Sequence, residues 1–280
     1  MKYMSFKIVV DSCCDLTPAM LKDPAFVKVP LTIFSNGSTF VDDETFDQAD
    51  LLWSMRQSED APSTACPSPQ SYLDAFRGVD DVYVVTLSAL LSGSHNSAEQ
   101  ARLLLEEEAP QANVHVFNSC SAAAGELLVA MAIHRLASAG MPFKRVVTEV
   151  EQFIYQMRTM FVLESLENLR KNGRLTKLQA VITGALKIKL FMGATPEGEI
   201  CKLGQALTIK QALTKMVDKI AADASHVGRT LAICHCNCLD RAFQVKAMVE
   251  AKCKFAHIII TEAGGITSVY AYDGGIVVAY

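Results

Sequence analysis

With 280 residues, half of them apolar, and a net charge of −4 at neutral pH, the chain is long enough for one large or two ordinary domains and too hydrophobic to be disordered or fibrous. No apolar run reaches the roughly eighteen residues that stable insertion of a helix in a bilayer requires, and no dense Lys/Arg stripe points to nucleic acid. Nine cysteines, an odd number, and an opening MKYMSFKIVV that enters a strand without a signal-peptide pattern lead us to expect reduced thiols and a cytoplasmic location.

Phe6–Val10 reads as a strand, then a polar turn Asp11-Ser12-Cys13-Cys14-Asp15-Leu16-Thr17, then a helix opening at Pro18. Val27–Ile33 reads as a second strand. Asp42-Asp43-Glu44 leads into a helix around Ala49–Arg56 and is read as an acidic helix start rather than a metal site. Pro62–Pro69 is a Pro-punctuated loop that delivers the helix Gln70–Phe76, with the Thr64 hydroxyl either facing a ligand or steadying the turn. Val82–Leu87 is a β-branched, apolar strand, and Ser97–Glu108 sets Ala98, Ala101, Leu104 and Leu105 at helical spacing. Between them lies the hydroxyl-rich turn Ser88–Asn96, where Ser94 or Asn96 caps the helix, or the free amides cradle a carboxylate or phosphate, or both.

A third such unit follows in Val114–Phe117, Asn118-Ser119-Cys120-Ser121 and the apolar helix Ala122–Ala137, so a parallel sheet is expected with its polar turns at one edge. Phe143–Phe161 reads as mainly helical. A second α/β unit begins near Val162, which divides the chain into domains 1–161 and 162–280. Glu164–Arg170 reads on into the turn Lys171-Asn172-Gly173-Arg174-Leu175. Ala180–Ile188 is largely apolar, and Thr195–Gly198 is a hairpin turn between Leu190–Ala194 and Glu199–Leu203. Leu207–Ala222 is an amphipathic helix, Thr230–Cys234 a strand, Leu239–Glu250 a helix and Ala256–Ile260 a strand; the tail Gly264–Tyr280 finishes as a sheet strand. The architecture expected is α/β, two domains with largely parallel sheets.

Chemistry-bearing clusters are few. Cys234-His235-Cys236-Asn237-Cys238 has no second ligand pair at zinc spacing and reads as a strand leaving its sheet, so no metal is expected. Ser92, Ser94 and His95 are close, yet SGSHNS is not a nucleophile elbow, and neither phosphate-loop glycine pattern occurs. The hydroxyls suit holding a ligand better than attacking one, and we expect no catalytic residue and no cofactor.

Taken in order, Val10-Asp11-Ser12…Asp15-Leu16, Val29-Pro30-Leu31, Thr64…Pro67-Ser68-Pro69, Leu91-Ser92-Gly93-Ser94…Asn96-Ser97-Ala98 and Leu166–Leu175 (LENLRKNGRL) resemble the DegV family over essentially the whole length. The resemblance implies two α/β domains with a fatty acid, such as palmitate, in an apolar tunnel between them. It implies that the carboxylate meets Thr64 and Ser92 with the Gly93 backbone and Ser94 beside them. It also implies a fatty acid kinase as a partner, docked through Arg174, and no chemistry by the chain itself. Burying about fifteen methylenes at roughly 0.8 kcal/mol each would supply about 12 kcal/mol gross, leaving the head group to set direction.

Three positions depart from the family pattern. Tyr270 stands at the usual His of the head-group site, Asn118 at an Asp, and Leu207 at an Arg. A phenol donates one hydrogen bond and carries no positive charge, so the head group would be held differently. The other readings are an acyl-ester hydrolase using Ser92 and a regulatory protein whose tunnel is filled by side chains.

Overall fold

The computed structural model describes residues 6–178 and 188–280; all but the last residue of the apolar run Ala180–Ile188 lies outside them. In chain order the first half runs β1 (Phe6–Asp11), β2 (Phe26–Val29), β3 (Thr32–Ser35), β4 (Ser38–Val41), α1 (Gln48–Gln57), β5 (Ser63–Ala65), α2 (Pro69–Phe76) and β6 (Asp81–Thr86). It continues with α3 (Ser94–Glu108), β7 (Asn113–Asn118), α4 (Ala124–Ser138) and α5 (Phe143–Gln156). Next come β8 (Thr159–Val162), α6 (Glu167–Lys171), β9 (Lys189–Ala194), β10 (Ile200–Ala206) and α7 (Ile209–Ala222). Last are β11 (Thr230–His235), α8 (Leu239–Glu250), β12 (His257–Glu262), α9 (Gly265–Ala271) and β13 (Ile276–Ala279).

The first sheet has the order β2-β1-β6-β7 and every pairing is parallel, as expected. Alternate residues part to opposite faces. Val9, Val82, Val84 and Val116 pack with Tyr72, Leu73 and Phe76 of α2 and Ala98, Ala101 and Leu105 of α3. Ile8, Val10, Tyr83, Val85 and Phe117 face α4 and α5 instead. Helix α4 is apolar all round because it lies between two sheets, touching β1 and β6 on one side and β11 and β13 on the other. Leu127, Val129, Ala130 and Ile133 are all fully buried there.

The second sheet, β10-β9-β8-β13-β11-β12, departs from the parallel expectation, since every pairing except β11–β12 is antiparallel. A parallel neighbour needs a crossover of about a dozen residues, and the turn at Thr195–Gly198 between β9 and β10 is far too short for one. Its faces also alternate. Met192, Ala232, Cys234, Val277 and Ala279 join the core around α4, whereas Val162, Phe191, Ile233, Ile276 and Val278 pack with α7 and α8.

Several boundaries move for identifiable reasons. Pro30, which lacks an N–H for the ladder, splits the strand expected over Val27–Ile33 into β2 and β3. β3 then heads a small antiparallel sheet, β4-β3-β5, in which the Pro-rich loop supplies the short edge strand carrying Thr64 opposite Ile33. The helix expected at Pro18 is a single 3-10 turn, Met20–Lys22. The helix expected through Phe161 stops at Gln156, and Thr159–Val162 pairs with β13. The tail holds α9 before its strand, and β13 is central, between β8 and β11. Among the described residues no helix is long and apolar enough to cross a membrane.

Candidate functional site

Because β1, β6 and β7 run parallel, their polar turns meet at one edge. Side chains tie the turns together. The Asp11 carboxylate accepts the amides of Cys13 at 3.1 Å and Leu87 at 2.9 Å, and Asn118 Oδ1 accepts those of Ala89 and Cys120, both at 3.1 Å. Ser88 donates its amide to Ser121 O at 2.8 Å and its hydroxyl to Gly198 O, also at 2.8 Å, which draws the β9–β10 turn onto this edge.

Between these turns and the second sheet lies a cavity of about 750 Å³, part of it open to solvent. Leu87, Leu91, Ala122 and Ala123 line it from the first half; Phe161, Leu163, Leu169, Ile200, Ile266 and Val277 line it from the second. Its wall is almost wholly apolar. Its polar lining side chains are Ser121 and Thr159, whose hydroxyls lie 2.6 Å apart, Thr267, which is bonded to Asp15, and, at one rim, Arg174 and Tyr270, which meet with the guanidinium carbon 5.4 Å from the ring centroid.

The motif Leu166–Leu175 acts as a bracket around that rim. Asn168 Nδ2 donates to Val269 O on α9 at 2.7 Å, Asn172 Nδ2 to Pro62 O ahead of β5 at 2.9 Å, and Arg174 Nε to Leu91 O at 3.1 Å. Three segments remote in sequence are thereby fixed relative to one another. Gly173, at φ +78°, takes the left-handed conformation that turns the chain after α6.

Of the residues anticipated from sequence, Tyr270 and Arg174 line the cavity, and Thr64 Oγ1 lies 2.9 Å from the Tyr270 hydroxyl. Ser92 and Gly93 sit on the same loop as Leu91 but are not among the lining residues. Ser92 Oγ accepts the Ser94 amide at 3.2 Å and donates to Ser94 Oγ at 3.3 Å. Ser94 is fully buried, and the residue ahead of α3 is Gly93, so neither Ser94 nor Asn96 acts as the cap. A side chain at Gly93 would bring a Cβ within 3.0 Å of Cys66 Sγ. No hydrogen bond joins His95 to Ser92 among the described residues: its Nδ1 lies 3.2 Å from Thr86 Oγ1, and Ser92 Oγ is bonded to Ser94.

Sequence reasoning missed the acids that hold α9. Asp42, read as part of a helix start, is fully buried and accepts the amides of Gly265 at 2.8 Å and Ile266 at 2.9 Å; Asp47 is the residue that caps α1. Asp15 accepts the Gly264 amide at 2.7 Å and the hydroxyl of Thr267 and thiol of Cys234, both at 2.9 Å. Burial pushes Asp15 up to about 7, Asp11 to about 6, and Asp42 above its ordinary value. Glu126 on α4 is also fully buried and finds no N–H or O–H donor among the described residues. Burial first, then the charge of Asp11, raise it well above the carboxylate range. The thiol cluster is structural: Cys234 and Cys236 are buried where β11 leaves the sheet, and burial raises both thiols.

The model of the family described as "Uncharacterised protein, DegV family" matches residues 5–280. A DegV domain-containing protein of Streptococcus pyogenes serotype M3 is 35% identical over 279 residues, 99% of each chain. A DegV family protein from Ruminococcus gnavus, solved with vaccenic acid, superposes with a TM-score of 0.96 at 43% identity over 100% of both chains. The Streptococcus pneumoniae fatty acid kinase B3 protein, loaded with linoleic acid, superposes at 0.90 with 32% identity over 99% of each. The match over the whole length, in sequence and in backbone alike, places this chain in the DegV family.

Proposed function

We propose that the chain binds a long-chain fatty acid, with its tail in the cavity between the two sheets and its carboxylate at the Thr64–Tyr270 rim, and offers that carboxylate to a fatty acid kinase. The observation that carries this reading is an almost wholly apolar cavity between the two sheets whose other polar lining hydroxyls are already bonded within the protein, with Arg174, Tyr270 and, through its hydroxyl, Thr64 at one rim. Relatives above 30% identity that hold fatty acids of this length support it. An acyl tail leaves water for a wall that asks nothing of it but contact, and each buried methylene contributes roughly 0.8 kcal/mol.

Thr64, Tyr270 and Arg174 bring donors to the rim, and Ser92 and Gly93 follow on the loop from the lining residue Leu91. A carboxylate there accepts from the Tyr270 and Thr64 hydroxyls, which now satisfy each other at 2.9 Å. The chain is a carrier and not the catalyst. A hydrolase would need a base on Ser92, and the groups around that hydroxyl supply none. Protein extracted from cells and denatured should release close to one fatty acid per chain by mass spectrometry; protein that carries none, and that takes up no palmitate afterwards, would end the proposal. In delipidated protein, Thr64→Ala with Ser92→Ala should weaken palmitate uptake roughly tenfold through lost hydrogen bonds to a charged group.

A further inference from the structure

We infer that β12 is a docking edge for a second copy of this chain, which pairs with it antiparallel about a two-fold axis and joins their second sheets into one. β12 closes that sheet on one side, and among the described residues its only ladder partner is β11. A strand covered on both faces reads as an unbroken apolar run, whereas an edge left in water is blunted by a charge, a proline or a bulge. β12 reads as the first kind and is placed as the second. Ile258 and Ile260 pack with the core under α7 and α8, Ile259 with the core around α4, and all three stay partly exposed. The opposite edge of the same sheet is protected: β10 carries Lys202 and slips register between Lys202 and Gly204.

Helix α8 widens this surface. Arg241 reaches from it to Gly274 O, and to Glu164 at 2.8 Å, so that flank faces β13 and β8. Two residues on, and roughly 200° round the helix, Phe243 faces the other way, toward the β12 side, with Leu239 one turn before it. Both are exposed, Phe243 by 52% and Leu239 by 47%. The charges name the occupant. α8 starts just beyond the end of β11 that pairs with Glu262, so Asp240 and Glu262 mark one end of the edge and Lys254 the other. All three are exposed, and none has an ion-pair partner among the described residues. An antiparallel copy sets each acidic end against the other copy's Lys254, whereas a parallel copy would oppose like ends. Such a self-complementary contact closes at two subunits. No residue of β11, β12 or α8 lines the cavity, so both copies keep it free.

The test is sedimentation velocity of the full chain from about 1 to about 100 µM, because self-association shifts with concentration. Wild type should move from 30.5 kDa toward twice that mass as the concentration rises. Phe243→Glu should raise the dimer Kd roughly tenfold or more, through a charge placed in an apolar contact. Glu262→Lys should weaken it by a similar factor at low salt and less at high salt, since it sets like charges together. Adding Lys254→Glu to Glu262→Lys should bring the Kd back to within about threefold of wild type. All three variants should keep the wild-type urea midpoint at the dilute end, which shows them folded. Wild type that stays at 30.5 kDa throughout would overturn the inference. So would a dimer that F243E and E262K leave intact, or a charge swap that fails to recover what E262K loses.

Discussion

Removing the Asp42 carboxylate tests whether the cavity wall depends on a contact made from the other half of the chain. In Asp42→Ala the amides of Gly265 and Ile266 lose acceptors now at 2.8 and 2.9 Å in a fully buried place. Hydrogen bonds to a charged group contribute roughly 1.5–3 kcal/mol each, so the gross loss is about 3–6 kcal/mol. Part is returned, because burial raises the Asp42 pKa and the ionised group is itself costly to keep there. We expect a net loss of about 2–4 kcal/mol in equilibrium urea denaturation of the delipidated protein. Asp42→Asn, which keeps one acceptor but turns an NH2 toward the second amide, should fall between. Ile266, Thr267, Tyr270 and Ala271 of α9 all line the cavity, so palmitate affinity should drop in parallel, about tenfold or more for D42A. Stability within about 1 kcal/mol of wild type, with palmitate binding unchanged, would refute the argument that these two bonds seat α9.

Two further consequences follow from the buried acids and the hairpin. The Asp15 pKa rises from 3.8 to about 7 on folding, so the folded state holds the proton more tightly; its contribution is fully present below about pH 4 and lost as the pH climbs through 7. His95 and His235, whose pKa values burial lowers, act in the opposite sense. The informative quantity is therefore the change in urea midpoint between pH 5 and pH 8 for wild type minus that for Asp15→Asn. It should be negative, and a difference of zero or above would contradict the assignment. At Gly198, φ is +89°, and an added Cβ would stand 2.4 Å from Ser88 Oγ and 2.8 Å from Cys120 Cα, backbone that has little room to shift. Gly198→Ala should cost about 2 kcal/mol or more and weaken palmitate uptake by lifting the β9–β10 turn from the edge it closes, whereas wild-type stability would show that the turn is free to move.

What could be read in the sequence follows how local its cause is. The β6–turn–α3 unit was legible because a β-branched run and a helical spacing sit on either side of a single polar turn. The β3–β4 hairpin left a signal that was overlooked: Asn36-Gly37, with φ of 49° and 74°, is the two-residue turn that matches strand twist. Helix α9 left almost none. Its glycine start looks like a loop, and the acceptors that stabilise it are Asp15 and Asp42, the latter 223 positions from Gly265. The second sheet misled for a similar reason, since a run of apolar residues does not state which way its neighbour points. At the site, the resemblance named Thr64, Tyr270 and Arg174, and the fold brings these three together; Ser94 it buries.

Nearly all the affinity of such a site comes from its wall, and nearly all its discrimination from its rim. A tail of about fifteen methylenes contributes about 12 kcal/mol gross, and an alcohol, an ester and an acid of equal length share that amount. Only the head group can separate them, and in the proposed reading it would meet Arg174, Tyr270 and Thr64, which reach the rim from the turn after α6, from α9 and from β5. None of these three elements is long enough to hold itself: β5 spans three residues, α6 five and α9 seven. They are held by Asn168, Asn172, Asp15 and Asp42, whose bonds run between segments far apart in the chain. Weakening any of those four should therefore blur the choice among head groups before it weakens the hold on the tail.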